Sequence, residues 1–202
     1  LKKVKTLEKQ ICPVCEKPAF NGQTHPYCRT RYALDGLVSI FPYEGMMKTA
    51  LTKLKYKFMT DLFEELTDSI VRTIELNSEG QFKSLKWLFV NQKAILMPIP
   101  LYWRRENWRG FNQAEILAKK FASDLNLEFD KTLKRKKFKK PQMKIKSYQA
   151  RFENIKNSFE IIDARKIKNK EIILIDDIST TGATLMEGAK ILKQNGSKKI
   201  YG

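Results

Sequence analysis

Cysteine and histidine are both scarce in this chain, which has three cysteines and one histidine among 202 residues. An odd cysteine count without a visible secretory signal argues against a disulfide framework and favours a cytoplasmic protein. Long apolar runs are also missing, since none approaches the ~20 residues that a membrane-spanning helix needs. The hydrophobic share of 42% is nevertheless enough for one substantial core, with room for a small additional module.

Acidic residues are outnumbered by basic ones, 22 to 39, which gives a formal net charge of +17. One interpretation is an anionic partner, such as a phosphate compound, a nucleic acid or a membrane surface. The other is a solvated, lysine-rich surface without a specific partner. The excess of lysine favours the second interpretation, because specific phosphate contacts usually use arginine. Charge alone leaves both open.

Apolar residues follow strand-like and helix-like periods in alternation along the chain. Strands are predicted at Leu37–Phe41, Ala94–Pro98, Ile172–Ile175 and Lys198–Tyr201. Helices are predicted from the spacing of Met47, Leu51, Leu54 and Phe58, over residues 61–75, and at Asn112–Leu125 and Gly182–Gln194. This alternation predicts the α/β class, with a parallel sheet covered by helices on both faces.

The strand Ile172–Ile175 runs into two adjacent carboxylates, Asp176 and Asp177, and then into a polar turn before a helix. The turn contains Ser179, Thr180, Thr181, Gly182, Ala183 and Thr184. Ligands of α/β folds bind at such strand ends. Two carboxylates can accept hydrogen bonds from a sugar diol, while backbone N–H groups at a helix N-terminus suit a phosphate dianion. The pattern predicts a site for a ribose and its 5′-phosphate.

The alternative is an ordinary strand-to-helix turn in which Thr181 or Thr184 only caps the helix. A single aspartate would fit that alternative. Two carboxylates at the end of a buried strand fit it poorly, because each loses hydration without gaining a partner.

A basic segment follows the strand Ala94–Pro98. Arginines at positions 104, 105 and 109 come after a proline-flanked loop and precede a helix. Guanidinium groups match phosphate oxygens in a planar fork, so the segment suits a pyrophosphate. The alternative is a basic loop whose tryptophans, Trp103 and Trp108, pack on the core.

The cysteines form the pairs Cys12-Pro-Val-Cys15 and His25-Pro-Tyr-Cys28, which share one internal spacing. Two such pairs joined by a short loop suit a tetrahedral zinc site with three thiolates and one imidazole. Bound zinc would also explain how so small a module folds. A redox pair is one alternative, although such pairs belong at strand-to-helix junctions. Sequence upstream of Leu1 that supplies the fourth ligand instead of His25 is another.

Residues 131–146 form a basic stretch that is rich in lysine and contains Phe138. Basic residues interleaved with an aromatic suit single-stranded nucleic acid. The position of the stretch, between the two phosphate-binding segments, favours a mobile lid over the site.

Two of these segments resemble known families. Ile172–Thr184 is similar to the phosphoribosyl-pyrophosphate (PRPP) signature of type I phosphoribosyltransferases. The remaining motifs resemble the ComF/GntX-type phosphoribosyltransferase-like proteins over about residues 10–202. The residues that carry this second resemblance are Leu54-Lys55-Tyr56, Pro98, Pro100, Arg104, Arg105, Arg109, Gly110, Phe111, Asn112, Gln113, Ala114, Pro141-Gln142, Arg151, Asn154 and Phe159.

The resemblance implies a PRPP–Mg²⁺ ligand. Asp176 and Asp177 would bind the ribose hydroxyls, Thr180–Thr184 the 5′-phosphate, and Pro100 and Leu101 would line the pyrophosphate side. The chain departs from the family at Leu101-Tyr102-Trp103, where His, Pro or Ser is frequent. It also departs at His25, where the family usually has cysteine.

Two functions follow as expectations. In the first, residues 36–202 form a phosphoribosyltransferase-like domain that binds PRPP, residues 1–35 form a zinc module, and the protein acts with single-stranded DNA and competence proteins in DNA uptake. In the second, the protein is an active pentosyltransferase. Asp176 and Asp177 would then orient the ribose, and Arg104 and Arg109 would hold the leaving pyrophosphate with Mg²⁺. No residue pattern identifies the acceptor.

Overall fold

The structure is a computed structural model and describes residues 6–7, 9–53, 65, 67–70, 72, 94–136 and 148–202. The helices are α1 (Gly45–Lys53), α2 (Trp103–Arg109), α3 (Gln113–Asp124), α4 (Tyr148–Ile155) and α5 (Ala183–Gln194). The strands are β1 (Ala94–Pro98), β2 (Glu128–Phe129), β3 (Leu133–Arg135), β4 (Phe159–Ile161), β5 (Glu171–Ile175) and β6 (Lys199–Tyr201). None of the described helices is both long enough and apolar enough to cross a membrane.

Four strands form a parallel sheet in the order β2-β1-β5-β6. Strands β1 and β5 pair along their whole length, from Ala94 opposite Glu171 to Pro98 opposite Ile175. Their continuous apolar character reflects burial on both faces of the sheet. The predicted strands at Ala94–Pro98 and Ile172–Ile175 are confirmed, and the last strand begins one residue later than predicted.

Helices cover both faces of this sheet, as predicted. Side chains alternate along each strand, so Leu96 and Ile173 face one way while Ile95 and Ile172 face the other. On the first face pack α1 and α3, through Met47, Leu51, Leu117 and Phe121. On the second face packs α5, through Leu185, Ala189 and Leu192. The helices predicted at 112–125 and 182–194 are confirmed to within one residue at each end.

Strands β3 and β4 form a separate antiparallel pair beside the sheet. Leu133 and Phe159 join the α5 side of the core together with Ile155 of α4. Strand β3 lies within the basic stretch and α4 follows it in the sequence. Residues 137–146 of that stretch lie outside the described residues. The predicted helix over 61–75 is described only at residues 65, 67–70 and 72, which are helical, and Leu54 and Phe58 are not described.

The strand predicted at Leu37–Phe41 is wrong. The backbone there has no strand assignment, and the sheet-like pairing lies earlier, at residues 35–38. The backbone N–H of Asp35 donates to the carbonyl oxygen of Ile200 at 2.8 Å, and that of Val38 donates to the carbonyl oxygen of Gly202 at 2.9 Å. In return, the N–H of Gly202 donates to the carbonyl oxygen of Gly36 at 3.0 Å. Beside this pairing, the side chain of Gln10 hydrogen-bonds both backbone groups of Ser39, at 2.9 and 3.0 Å.

Residues 35–38 extend the sheet beyond β6. The cysteine module, residues 10–35, is joined to them by backbone hydrogen bonds. Leu37 donates to Gly22, and Thr24 donates to Asp35, both at 2.9 Å. Gly22 has φ +67°, and a Cβ atom there would lie 2.0 Å from the Leu37 carbonyl oxygen. Only glycine permits this approach, so the position of the module depends on it.

Candidate phosphoribosyl and metal sites

The two adjacent carboxylates lie at the carboxyl edge of the parallel sheet. Asp176 and Asp177 directly follow β5, next to the end of β1, because Pro98 pairs with Ile175. The backbone N–H of Asp177 donates to the Asp176 carboxylate at 3.0 Å. Burial and the charge of Asp177 raise the pKa of Asp176 well above its usual range, and the Arg135 guanidinium opposes that rise. A hydroxyl donor would relieve this unfavourable burial.

The polar turn Ser179–Thr184, called here the phosphate turn, leads directly into α5. Gly182 occupies the N-cap position with φ +66°, and no side chain caps the helix there. The nearest approach to a cap is a 3.5 Å contact from the Ala183 N–H to the Thr181 hydroxyl. A contact this long is a weak cap, so the helix N-terminus retains its attraction for an anion.

The arginines, predicted to follow a proline-flanked loop and to precede a helix, lie in a short helix of their own. This helix is α2, and Gly110 follows it as a left-handed C-cap with φ +83°. The alternative in which the tryptophans pack on the core is also wrong, since Trp103 is 55% and Trp108 is 72% exposed. The Arg104 guanidinium lies 5.1 Å from the Trp103 ring centroid on this outer surface.

Three other guanidinium groups form an inward basic cluster, defined as Arg105, Arg109 and Arg135. Burial and the charge of Arg109 lower the pKa of Arg105. Burial and the charge of Arg105 lower the pKa of Arg135 to about 10, although the carboxylate of Asp176 opposes this. The charge of Arg105 therefore acts on Arg135, the charge of Arg109 acts on Arg105, and Arg135 in turn interacts with the Asp176 carboxylate.

The basic cluster retains unused hydrogen-bonding capacity. Within the described residues, Nε of Arg109 and Nε of Arg135 are buried without a hydrogen-bond partner. Arg109 does donate through Nη1 to Gln113 at 3.2 Å. Buried donors of this kind are costly unless something accepts from them. An anion is the acceptor that would satisfy both the charge and the donors.

A cleft of about 140 Å³ adjoins the basic cluster. Arg135 lines it together with Pro100 and Leu101, the residues predicted for the pyrophosphate side. Trp103 also lines this cleft, whereas Arg104, Arg105 and Arg109 do not. Of these arginines and Arg135, Arg135 is the one whose charge acts on the Asp176 carboxylate.

Sequence reasoning missed Arg135, which it assigned only to the basic stretch. One signal was available, because Arg135 is the only arginine between residues 131 and 146, where the other basic residues are lysines. Strand β3 ends at Arg135 and pairs it with Phe159 of β4. That pairing holds the guanidinium 5.6 Å from the Phe159 ring centroid.

The predicted zinc ligands come together in the structure. One ligand atom each from Cys12, Cys15, His25 and Cys28 lies within 4.8 Å of the others, and all three cysteines are free thiols. His25 directs Nδ1 towards the thiols, 3.3 Å from Cys15 Sγ, while Nε2 lies 3.1 Å from the Pro18 carbonyl oxygen. A ring N–H that donates to a carbonyl is the usual support of a metal-binding histidine. The cluster could therefore bind zinc.

The thiols also differ in acidity in a way that suits a metal. Burial raises the pKa of Cys12, but backbone N–H groups of Cys15, His25 and Val14 outweigh it and lower the value to about 7. Burial and hydrogen bonds with Cys15 and Cys12 raise the pKa of Cys28 to about 11. Clustered thiolates repel one another, and a divalent cation removes that repulsion.

Comparison with known proteins agrees with this geometry. Residues 108–201, which include α3, the phosphate turn and α5, match the family described as "Phosphoribosyl transferase domain". Competence protein ComFC of Bacillus subtilis (strain 168) is 29% identical over 205 residues, covering 96% of this chain and 76% of the relative. The chain is thus similar to ComFC over most of its length and carries a phosphoribosyltransferase-type domain over residues 108–201. DNA utilization protein YhgH of Shigella flexneri is 24% identical to this ComFC-like chain, covering 96% of it and 82% of the relative.

A third relative matches a shorter part of the chain. Competence protein F of Haemophilus influenzae is 33% identical over 107 residues, which cover 52% of the ComFC-like chain and 46% of that relative.

Proposed function

We propose that this ComFC-like protein binds PRPP and acts in the DNA uptake of natural competence. One observation carries the ligand assignment: a carboxylate pair adjoins an arginine cluster at one end and a phosphate turn at the other. PRPP has the matching order, with a pyrophosphate, a ribose diol and a 5′-phosphate.

In this proposal the chain's own residues divide the ligand among them. Asp176 and Asp177 accept hydrogen bonds from the ribose hydroxyls. Residues Ser179–Thr184 hold the 5′-phosphate with backbone N–H groups and hydroxyls. The basic cluster, Pro100 and Leu101 receive the pyrophosphate, and Arg105 and Arg135 take the role that was expected of Arg104. Mg²⁺ bound with PRPP would neutralise part of the pyrophosphate charge. Carboxylate oxygens, such as those of Asp176 and Asp177, are common ligands of Mg²⁺.

Calorimetric titration tests the ligand assignment. PRPP, ribose 5-phosphate and pyrophosphate are titrated separately into the protein, each with and without Mg²⁺. We expect PRPP to bind most tightly, because it alone engages both ends of the site. Arg135→Gln should weaken pyrophosphate and PRPP binding by about tenfold and leave ribose 5-phosphate unaffected. Equal binding of all three ligands, or of none, contradicts the proposal.

The DNA role is supported by the names of the relatives and by the outer surface of α2. A competence protein and a DNA utilization protein match this chain over most of its length. Exposed tryptophans beside arginine suit the stacking of unpaired bases, and the net charge of +17 suits a polyanion. We propose single-stranded DNA and competence proteins as partners, and the cytoplasm as the compartment.

Catalysis is the second candidate function. A base nitrogen would form a bond to C1 of the ribose while the C1–O bond breaks and pyrophosphate leaves with the electron pair. The basic cluster would stabilise the departing charge, and the turn and carboxylates would hold the sugar in place. Pyrophosphate release with a panel of bases and nucleosides tests this function, and tight PRPP binding without release by any acceptor would exclude it.

A structural zinc ion in residues 1–35 completes the proposal, with residues 36–202 as the phosphoribosyltransferase-like part. The three thiolates and the imidazole would hold it, and zinc would supply folding energy rather than chemistry.

A further inference from the structure

Arg151 of helix α4 contacts the phosphate turn through its guanidinium group. Nη1 of Arg151 donates to the hydroxyl oxygen of Thr180 at 2.9 Å, across 29 residues of sequence. Thr180 is exposed at the tip of the turn. Neither the β-strand pattern nor the turn motif contains Arg151, so this contact depends on the tertiary fold.

Packing fixes the base of the Arg151 side chain. Ile155, one turn further along α4, is 1% exposed in the core beside α5, and Phe152 packs against the same cluster. Because α4 is anchored to α5, the Arg151 side chain reaches the N-terminal end of α5 from a defined origin. The contact therefore does not require a long ordered loop.

The direction of the hydrogen bond has a chemical consequence. Thr180 accepts from Arg151 through its oxygen, so its own hydroxyl proton remains to be donated. The guanidinium group brings a positive charge in a planar fork of N–H donors. The contact therefore places a cation and a hydroxyl side by side at the turn.

Charge balance at the turn favours an added cation. A 5′-phosphate is a dianion, and Ser179–Thr184 offer it neutral hydroxyls, backbone N–H groups and the helix dipole. The dipole is worth only about half a unit charge. The basic cluster meets Asp176 through Arg135, at the pyrophosphate end of the proposed site.

We propose that Arg151 is a binding residue for the 5′-phosphate, acting together with Thr180. The ligand class is a sugar phosphate monoester, and this inference rests on the proposed binding of a ribose 5-phosphate group at the turn. Arg151 thus selects the phosphate end of the ligand, as Arg135 selects the pyrophosphate end.

The test compares Arg151→Gln with Arg165→Gln, using ribose 5-phosphate and inorganic pyrophosphate as separate probes. Arg165 is an exposed arginine paired with Asp163, so its variant removes the same charge outside the site. Arg151→Gln should weaken ribose 5-phosphate binding by about tenfold to a hundredfold and change pyrophosphate binding by less than about twofold. Arg165→Gln should bind both probes as the wild type does.

A spectroscopic measurement separates a binding role from a structural one. A nearby guanidinium lowers the second pKa of a bound phosphate, so the ³¹P titration of bound ribose 5-phosphate should shift to higher pH in Arg151→Gln. Arg151→Lys should keep most of that effect but bind more weakly than the wild type, because it retains the charge without the fork.

Coupling to Thr180 supplies an independent variant. Thr180→Val should also weaken ribose 5-phosphate binding, and the double variant should lose less than the sum of the single losses, because the two side chains act as a pair. Wild-type affinity for ribose 5-phosphate in Arg151→Gln overturns this inference alone. A wild-type protein that binds neither PRPP nor ribose 5-phosphate overturns the proposed function and this inference together.

Discussion

At the residue scale, Asp176 ionises against both burial and the charge of Asp177. Its pKa in the folded protein therefore lies above its value in the unfolded chain, about 3.9. The folded state binds this proton more tightly, so the free energy of unfolding falls as pH rises through the interval between the two values. Ionisation of this carboxylate therefore costs the folded protein stability.

Replacing the carboxylate of Asp176 should stabilise the folded protein and weaken its binding of PRPP. Asp176→Asn is expected to have a larger free energy of unfolding than the wild type at pH 7, an advantage that shrinks as pH falls towards about 4. The same variant should bind PRPP more weakly. Urea unfolding across a pH series and calorimetric titration measure the two effects.

Asp163→Asn is the matched control with the opposite sign. Hydrogen bonds from Arg165 hold the pKa of Asp163 below its usual range, so its carboxylate favours the folded state at neutral pH and loses that effect as pH falls. An Asp176→Asn protein less stable than the wild type at pH 7 would contradict the argument.

Arg135 and Arg151 show which part of the site the sequence could not predict. The carboxylates and the phosphate turn are contiguous in the chain, and their order alone indicated a ribose phosphate. The two arginines reach the site from β3 and α4, so their roles depend on pairing with β4 and packing on α5. No local period encodes such contacts.

At the element scale, α2 escapes prediction from the sequence for a physical reason. Helices are recognised by an apolar stripe, and α2 buries none of its seven residues. Helix α5, in contrast, buries Leu185, Ala189 and Leu192 along one side, and its predicted bounds agree with the structure almost to the residue. Elements that contribute to the core can be read from the sequence, whereas exposed ones often cannot.

The junction between Gly22 and Leu37 yields a prediction about the cysteine module. Gly22→Ala should lower the free energy of unfolding by at least about 2 kcal/mol, since the backbone conformation is left-handed and the new methyl group would meet the Leu37 carbonyl. Gly45→Ala is the control, because Gly45 is also left-handed, at φ +47°, but an added methyl group there would have nothing within 4 Å. Equal losses in urea unfolding would show that the close approach is unimportant.

Metal content tests the module directly. Purified protein should contain about one zinc ion per chain by elemental analysis, and Cys15→Ser should lower both zinc content and the melting temperature. Val14→Ala changes an exposed residue between two ligands and should keep the metal. Full zinc content in Cys15→Ser would exclude Cys15 as a ligand.

At the scale of the whole molecule, the charge of +17 predicts a strong salt dependence of DNA binding. The logarithm of the affinity for single-stranded DNA should fall linearly with the logarithm of salt concentration, with a slope of about −0.7 for each phosphate contacted. Replacing both Trp103 and Trp108 with alanine should weaken binding by about tenfold or more at constant salt and leave that slope unchanged.

Ile162→Ala is the control for the tryptophan variants, since it removes another exposed hydrophobic side chain, 64% accessible, outside α2. Fluorescence anisotropy with a labelled oligonucleotide measures all three proteins. If the double tryptophan variant bound single-stranded DNA as tightly as the wild type, α2 would not be part of the DNA-binding surface.

The edge of the sheet beyond β6 has a consequence for solubility. A strand edge with unsatisfied N–H and C=O groups invites pairing with another chain and hence aggregation. Here residues 35–38 occupy that edge, and the 2.7 Å ion pair between Lys193 and Asp35 helps to keep them there. Residues 35–38, which the cysteine module holds through backbone hydrogen bonds, thus shield the sheet against self-association. Loss of metal would then endanger the protein through exposed backbone at this edge.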